Sequence, residues 1–410
     1  MFGRFFVELT LFIFVLFTVI KLKKWKSYFL DKNYIIIFLF LFYLTIFVST
    51  FNNIEILSKT TDQNLIIKSL LNFRFIIYII SVWFVFQEVK LNKNFFHFTI
   101  LIYFLFLLDA YLQFFNGENL LGYTMPSGRI SGIFGDEYIL GSYIQKIIPI
   151  FIILFYLVFK NDFKNQSNYL LLILILSTTI ILLSGDRASN ILFLFYLVIC
   201  ALFLPFLRKF FLANFLISGL LLSLIFVLGV GKNLATLDQR YKPNSSYNIN
   251  NIQSINSSPI LKYIHKDHFG HYLVVKEMAK DNLYLGKGIK SFRFMCRGKL
   301  GNFYSVKGGV CSTHPHNYYL QSIAAGGLIG FFFIFLIFFI IFIKILKIFV
   351  SLFQKKYYDP LLISSTICIF VYFWPLIPTG NFFSNWISGF NCFALGIFLF
   401  INSNLKVGKN

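Results

Sequence analysis

The chain has 410 residues, 58% of them hydrophobic and 20% aromatic, with a mean hydropathy of +0.74. So much apolar surface excludes a water-soluble globular protein and leaves an all-α polytopic membrane protein as the expectation. The formal charge of +21 would suggest nucleic acid in a soluble chain. Here most lysines lie in short loops between apolar runs, and no RNA-binding motif accompanies them, so no nucleic-acid partner is expected.

Apolar runs long enough to cross a bilayer, about 17 to 25 residues as helix, fall near 3–20, 34–51, 65–86, 95–115, 139–159, 168–184, 188–206, 210–230, 316–343, 359–378 and 383–401. That spacing predicts about eleven transmembrane helices, within a range of about ten to twelve. The first run, Phe5 to Ile20, has its lysines after it and no small-residue cleavage site behind it, so it reads as a span and not as a cleaved signal. Lysine-rich clusters occur at Lys21 to Lys32, Lys90/Lys93, Lys160/Lys164, Arg208/Lys209, Lys344 to Lys356 and Lys406/Lys409. They fall at every second boundary, which places that side in the cytoplasm, the C-terminus inside and the N-terminus outside. The chain then divides into N-terminal transmembrane helices (1–230), one large periplasmic loop with short helices (231–315) and C-terminal transmembrane helices (316–410).

Within the large loop, Pro243 to Ser258 is rich in Asn and Ser and reads as irregular. His271 to Asn282 places Tyr272, Val275, Met278 and Ala279 on one helical face, suited to packing on the membrane domain or lying at its surface. Gly286 and Gly288 mark a turn after it. Cys200, Cys368 and Cys392 sit in apolar runs as packing residues, whereas Cys296 and Cys311 share the outer loop, where an oxidising compartment lets them pair. No Cys/His set has zinc-ligand spacing, so no metal or other cofactor is expected.

The arginines are unevenly placed. On the side assigned to the cytoplasm 16 of 17 basic residues are Lys, yet seven of the remaining 20 are Arg: Arg4, Arg74, Arg129, Arg187, Arg240, Arg293 and Arg297. Topology needs only charge, which Lys supplies; a planar five-donor fork is needed where a phosphate or carboxylate is gripped in two places. The asymmetry points to anion recognition on the outer side. The alternative is that each Arg pairs with a local carboxylate, such as Arg187 with Asp186. Arg74 lies inside a run, where a cation is a functional candidate by default. Arg129 lies in Ser127-Gly128-Arg129-Ile130-Ser131-Gly132, followed by Asp136 and Glu137, which either orient basic groups or cap the next helix.

The large loop ends at Thr313-His314-Pro315-His316-Asn317, where two imidazoles and an amide meet a membrane entry. Pro315 suits a first helical turn, with Thr313 or His314 at the cap. The positive end of the helix dipole attracts anions and disfavours imidazolium, so a histidine here stays neutral and can accept a proton from an attacking sugar hydroxyl. Either His314 or His316 fits that role; the plain alternative is that both cap or pack. Ala324-Ala325-Gly326-Gly327 downstream allows tight helix packing.

Four stretches carry a resemblance: Arg129 to Glu137 with Leu140-Gly141-Ser142-Tyr143; Ser184-Gly185-Asp186-Arg187; Met278 to Phe292; and Thr313 to Gly330. On these the chain resembles the O-antigen ligase and polymerase superfamily of bacterial membrane glycosyltransferases. The resemblance implies a GT-C-like architecture in the bacterial inner membrane with its active site facing the periplasm. It implies inverting, metal-independent transfer of a glycan from undecaprenyl pyrophosphate to the hydroxyl of an acceptor glycolipid or glycan, among membrane lipids. It assigns the base to His316 or His314 and the pyrophosphate contacts to Arg187 and Arg240 and then Arg129; the reading of the residues themselves adds Arg74 as a further candidate and Asn317, Asp136 and Glu137 in support. The Asn-rich start of the large loop departs from the family pattern at Arg240. Ligase and repeat-unit polymerase both fit the resemblance. A polysaccharide flippase would call for internal repeats and charged spans lining a path; no repeat is seen, and one large outer loop dominates instead.

Overall fold

The computed structural model describes residues 2–21, 33–235, 237, 266–296, 311–354 and 358–404. Among these residues the chain is all-helical, with one isolated antiparallel bridge between Glu118 and Thr124. The helices are α1 (Phe2–Ile20), α2 (Tyr34–Asn52), α3 (Ile54–Thr60), α4 (Leu65–Leu71), α5 (Arg74–Glu88), α6 (Lys93–Asn116), α7 (Leu140–Phe159), α8 (Phe163–Leu183), α9 (Arg187–Phe203), α10 (Arg208–Leu228), α11 (Lys266–Asp281), α12 (Ser291–Cys296), α13 (Tyr318–Phe353), α14 (Pro360–Tyr372) and α15 (Asn385–Asn404).

Seven helical stretches among the described residues are long and apolar enough to cross a membrane. One of them, Leu140–Leu183, is 44 residues long and holds both α7 and α8, joined by a tight turn at Lys160–Asp162. Three apolar helices are shorter: Glu8–Ile20, Arg187–Phe203 and Pro360–Tyr372. The runs expected at 188–206 and 359–378 thus give helices of 17 and 13 residues, about 26 and 20 Å at a rise of about 1.5 Å per residue. Pro205 follows the end of the first, and Pro375 and Pro378 follow the second, which fits proline's missing N–H. The run expected at 65–86 breaks at Asn72–Phe73, where the bonds tighten to i→i+3 (Asn72 N–H to Ser69 O, 3.2 Å; Phe73 N–H to Leu70 O, 3.0 Å). The Asn72 side chain also turns back to donate to the Lys68 carbonyl at 3.0 Å. Conversely, the run at 316–343 extends as a 36-residue helix to Phe353.

The bundle packs α13 along α2, α15 along α5, and α14 against both α15 and α7. Aromatic rings fill the interior. Phe42 stacks on Phe383 with centroids 6.2 Å apart and meets Phe382 edge-on at 5.5 Å, while Tyr143 meets Phe134 at 4.9 Å and Phe390 at 5.0 Å.

Gly326 lets α2 and α13 approach closely, since a Cβ there would lie 2.8 Å from Ile46 Cδ1. Its neighbour does something the sequence pattern did not indicate. Gly327 has φ +63° inside α13 and breaks its ladder. The loop between α11 and α12 inserts its backbone into the break. Lys287 N–H donates to Ala324 O and Gly288 N–H to Ala325 O, both at 2.9 Å, and in return Leu328 N–H donates to Leu283 O at 2.8 Å. The groups freed by the break are therefore paired without water. The same loop is fastened to α2, because Ile289 N–H donates to Thr50 Oγ1 at 2.9 Å. This clamp fixes α11 and α12 over the start of α13.

Candidate functional site

A buried amide builds the first wall of the site. Gln113, near the end of α6, accepts from Ser131 N–H (2.8 Å) and Gly132 N–H (2.7 Å) and donates to the carbonyls of Tyr123 and Thr124 (3.0 and 3.2 Å). Buried Asp109, one turn earlier, accepts from Leu120 N–H and the Asn119 side chain. The loop from 117 to 139 is thereby folded back, and its Arg129 is held over the Tyr138 ring at 4.6 Å with Nε donating to Ser184 O at 3.4 Å.

Arg129 thus touches the turn that begins α9. Gly141 of α7 packs there so tightly that a Cβ would lie 2.6 Å from Ser184 Oγ. Asp186 caps α9, accepting from Ser189 N–H at 3.3 Å, and takes the hydroxyls of Ser142 and Ser189, each at 2.7 Å. Its carboxylate is occupied by these donors, and among the described residues Arg187 forms no ion pair. The alternative that Arg187 merely neutralises Asp186 is not what the geometry presents: the guanidinium is exposed.

The histidines converge from two segments. Asn317, not Thr313 or His314, caps α13: its side chain accepts from Tyr319 N–H (2.9 Å) and Leu320 N–H (3.1 Å) and donates to Pro375 O (2.8 Å). His316, immediately before the cap, has φ +53° and is anchored through its carbonyl by Thr379 N–H at 2.8 Å. A left-handed residue other than glycine costs about 1–2 kcal/mol and persists where its surroundings impose it. His314 and His316 lie with ring centroids 4.1 Å apart, and from α11 His271 stacks on His316 at 5.3 Å while His268 meets it edge-on at 5.1 Å. His314 Nδ1 shares a hydrogen bond with Thr313 Oγ1 at 2.8 Å, and its Nε2 is buried without a hydrogen-bond partner. Burial, then the neighbouring His316 and His271, hold the His314 imidazole well below the usual histidine range, so it is neutral at pH 7. Cys296 and Cys311 are joined in a disulfide, which closes the segment before this motif onto α12.

These pieces line one cavity of about 600 Å³. Arg129, Arg187, His314 and His316 all face it, joined by His268, Arg293 and Lys146. The N-terminal ends of α7, α9, α13 and α15 meet there, so four positive dipole ends reinforce the side-chain cations. Asp186 is the one carboxylate among the described lining residues. The arrangement suits a multiply charged anion next to a neutral nitrogen base.

Other expected residues lie elsewhere. Arg74, at the start of α5, is not among the cavity residues; it pairs with Glu8 at 2.7 Å and donates to Asn385 at 3.0 Å, tying α1 to α15. Asp136 and Glu137 are exposed, and among the described residues neither pairs with an arginine or caps α7. Arg240, Arg297 and Pro243 to Ser258 lie outside the described residues. On α11 the buried positions are His271, Val274, Val275 and Met278, so Tyr272 and Ala279 sit at the edge of the anticipated face and His271 joins it. Lys146, a lysine within an apolar run, and the His268/His271 pair at helical i,i+3 spacing were sequence signals that charge counting passed over.

Residues 172–335 match the family model described as O-Antigen ligase. Over this segment the chain is similar to the O-antigen ligase family, which supports the O-antigen ligase and polymerase superfamily. The matched O-antigen ligase segment carries Arg187, Arg293, His268 and both histidines of the motif; Arg129, Lys146 and the Pro375–Asn381 strap lie outside it. No curated protein matches the chain. The superfamily and the apolar helices together make this a multi-pass membrane protein of polysaccharide biosynthesis that acts in glycan transfer.

Proposed function

We propose that the chain transfers a glycan from undecaprenyl pyrophosphate to an acceptor hydroxyl, from a cavity that faces the periplasm in the bacterial inner membrane. One observation carries the reading: Arg129, Arg187 and the His314/His316 pair line the same cavity. Arg187, exposed and without an ion pair among the described residues, grips the pyrophosphate together with Arg129. Arg240 and Arg74 stay as lesser candidates, the latter through its hold on α15. Developing charge on the leaving pyrophosphate is stabilised by fixed cations and helix ends that need no reorganisation.

His316 is the better base of the two. Both line the cavity, but His316 is the less buried, whereas His314 has its Nδ1 engaged with Thr313. A bond forms between the acceptor oxygen and the anomeric carbon as the bond from that carbon to the phosphate oxygen breaks. The hydroxyl proton passes to the imidazole, and the electron pair leaves with the pyrophosphate. Attack opposite the leaving group inverts the anomeric centre, and no metal is needed in this scheme. The same reading has about eleven spans, from the apolar runs, and 231–315 as the periplasmic segment, from the lysine distribution.

Transfer to lipid A core or another acceptor glycolipid is the first reading and repeat-unit polymerisation the second; the family match is compatible with both. The test is reconstitution of the purified chain in liposomes with undecaprenyl-pyrophosphate-linked glycan and lipid A core. Expected are glycosylated core, free undecaprenyl pyrophosphate and an inverted linkage, unaffected by a chelator. Release of polymer on the lipid carrier in place of glycosylated core would establish the polymerase. No consumption of the donor would end both readings.

A further inference from the structure

Lys146 is a second, deeper cation in the cavity that the pyrophosphate reading does not use. It lies in α7, four residues beyond Ser142, which binds the Asp186 carboxylate at the level of the α9 cap. At about 1.5 Å per residue that sets Lys146 about 6 Å further into the bundle. It is 6% exposed yet faces the cavity. Its Nζ donates to Asn391 Oδ1 at 2.9 Å and sits 4.1 Å above the Tyr372 ring. Asn391 in turn donates to the Tyr318 hydroxyl, and the Tyr372 hydroxyl donates to the Lys146 carbonyl. Every one of these partners is neutral, and among the described residues Lys146 makes no ion pair.

A cation this far inside an apolar bundle is costly unless an anion reaches it. Other groups lining the same cavity have polar atoms left open. Gln145, 3% exposed and lining the same cavity, has an Nε2 without a hydrogen-bond partner, and Thr379 Oγ1 and Ser384 Oγ of the same lining have none either. Buried polar atoms are rarely left unpaired, and an amide N–H₂, two hydroxyls and an ammonium facing one space together match a group rich in acceptor oxygens. Arg187 and Arg293 are exposed and Arg129 half-buried, whereas Lys146 is buried, so the cations of this cavity differ in their access to solvent.

We propose that Lys146, with Gln145, Thr379 and Ser384, forms an anion subsite at the cavity floor that takes an acidic substituent of the glycan, a carboxylate or phosphate on a sugar, and not the lipid pyrophosphate. This rests on the transfer reading only for the statement that a glycan enters; the subsite stands on its own contacts. It makes the protein selective for acidic sugars.

The subsite is tested by binding. Trp386 lines the cavity, so its fluorescence reports occupancy, with Trp386→Phe as the control for the other tryptophans. The full chain in nanodiscs is titrated with methyl glucuronide, methyl glucoside and inorganic pyrophosphate. Expected is saturable glucuronide binding with far weaker glucoside binding. Lys146→Met weakens glucuronide by about tenfold or more, the loss of one charge-assisted contact, and changes pyrophosphate little. Asn391→Asp keeps the lysine and supplies an internal counter-ion, so it too abolishes glucuronide binding even where Lys146→Met fails to fold. Equal binding of glucuronide and glucoside, no glucuronide binding, or a glucuronide affinity unmoved in both variants would overturn the proposal. A Lys146→Met effect confined to pyrophosphate would overturn it as well, by returning the lysine to the leaving group. Intact glucuronide binding without any glycan transfer would sink the transfer reading alone.

Discussion

Gly286 and Gly327 meet backbone to backbone: a Cβ on Gly286 would lie 2.5 Å from the Gly327 amide nitrogen, and a Cβ on Gly327 would lie 2.2 Å from the Tyr284 carbonyl oxygen. Both have positive φ, +66° and +63°. Neither the loop nor the helix can withdraw, since each satisfies the other's backbone at the break. This contact positions α11, with its two histidines, above His316.

Gly286→Ala and Gly327→Ala are therefore expected to destabilise the protein by about 2–4 kcal/mol, from combined overlap and left-handed strain. Gly219, in α10 with nothing within 4 Å of a Cβ, is the control, and Gly219→Ala stays within about 1 kcal/mol of the parent. Thermal unfolding in one detergent compares the three. Equal melting temperatures would mean that the clamp does not hold the two segments.

Replacing His316 by Ala removes the proposed base and should lower transfer by about 10²–10⁴-fold, with melting temperature little changed. His314→Gln keeps polarity beside it and should cost less. A larger loss for His314→Gln than for His316→Ala would reverse the assignment of roles.

Arg187→Lys keeps the charge but not the planar fork. A drop of about tenfold to a hundredfold in transfer is expected, equivalent to about 1.5–3 kcal/mol for a charge-assisted hydrogen bond. Arg74→Lys should act through stability instead, because Arg74 holds Glu8 and Asn385. Full activity in Arg187→Lys would remove Arg187 from the pyrophosphate site.

His314 links the site to pH. Its folded imidazole has a depressed pKa, while in the unfolded chain it titrates near the usual value of about 6.5. Between those values the unfolded state binds more protons, so this contribution to stability is complete above about pH 6.5 and declines as pH falls toward the folded pKa, by at most about 1.4 kcal/mol per pH unit. Melting curves from pH 7.5 to 5 should fall more steeply for the parent than for His314→Phe. Parallel curves would show that His314 is not buried and neutral.

The sequence by itself determined the solvent of this protein and the side chains proposed to act in it. Apolar runs such as 34–51 and 210–230 have to be helices in lipid, because a bilayer offers their backbone no other partner. The arginines and the two imidazoles at the start of α13 were also legible as candidates, since an anion ligand and a neutral base would need such side chains wherever they are placed. Helix ends were less legible: Asn317 capped α13 in place of Thr313 or His314, because which amide can reach Tyr319 and Leu320 N–H depends on the strap at Pro375. Only the tertiary structure decided which cations share a space. It gathered Arg129, Arg187 and Arg293 with Lys146 and assigned Arg74 to Glu8, because helix packing sets distances between residues that the chain keeps far apart. It also turned Gly286 and Gly327 into one contact, since an unpaired backbone group in a broken helix has to be met by whatever backbone the fold brings to it.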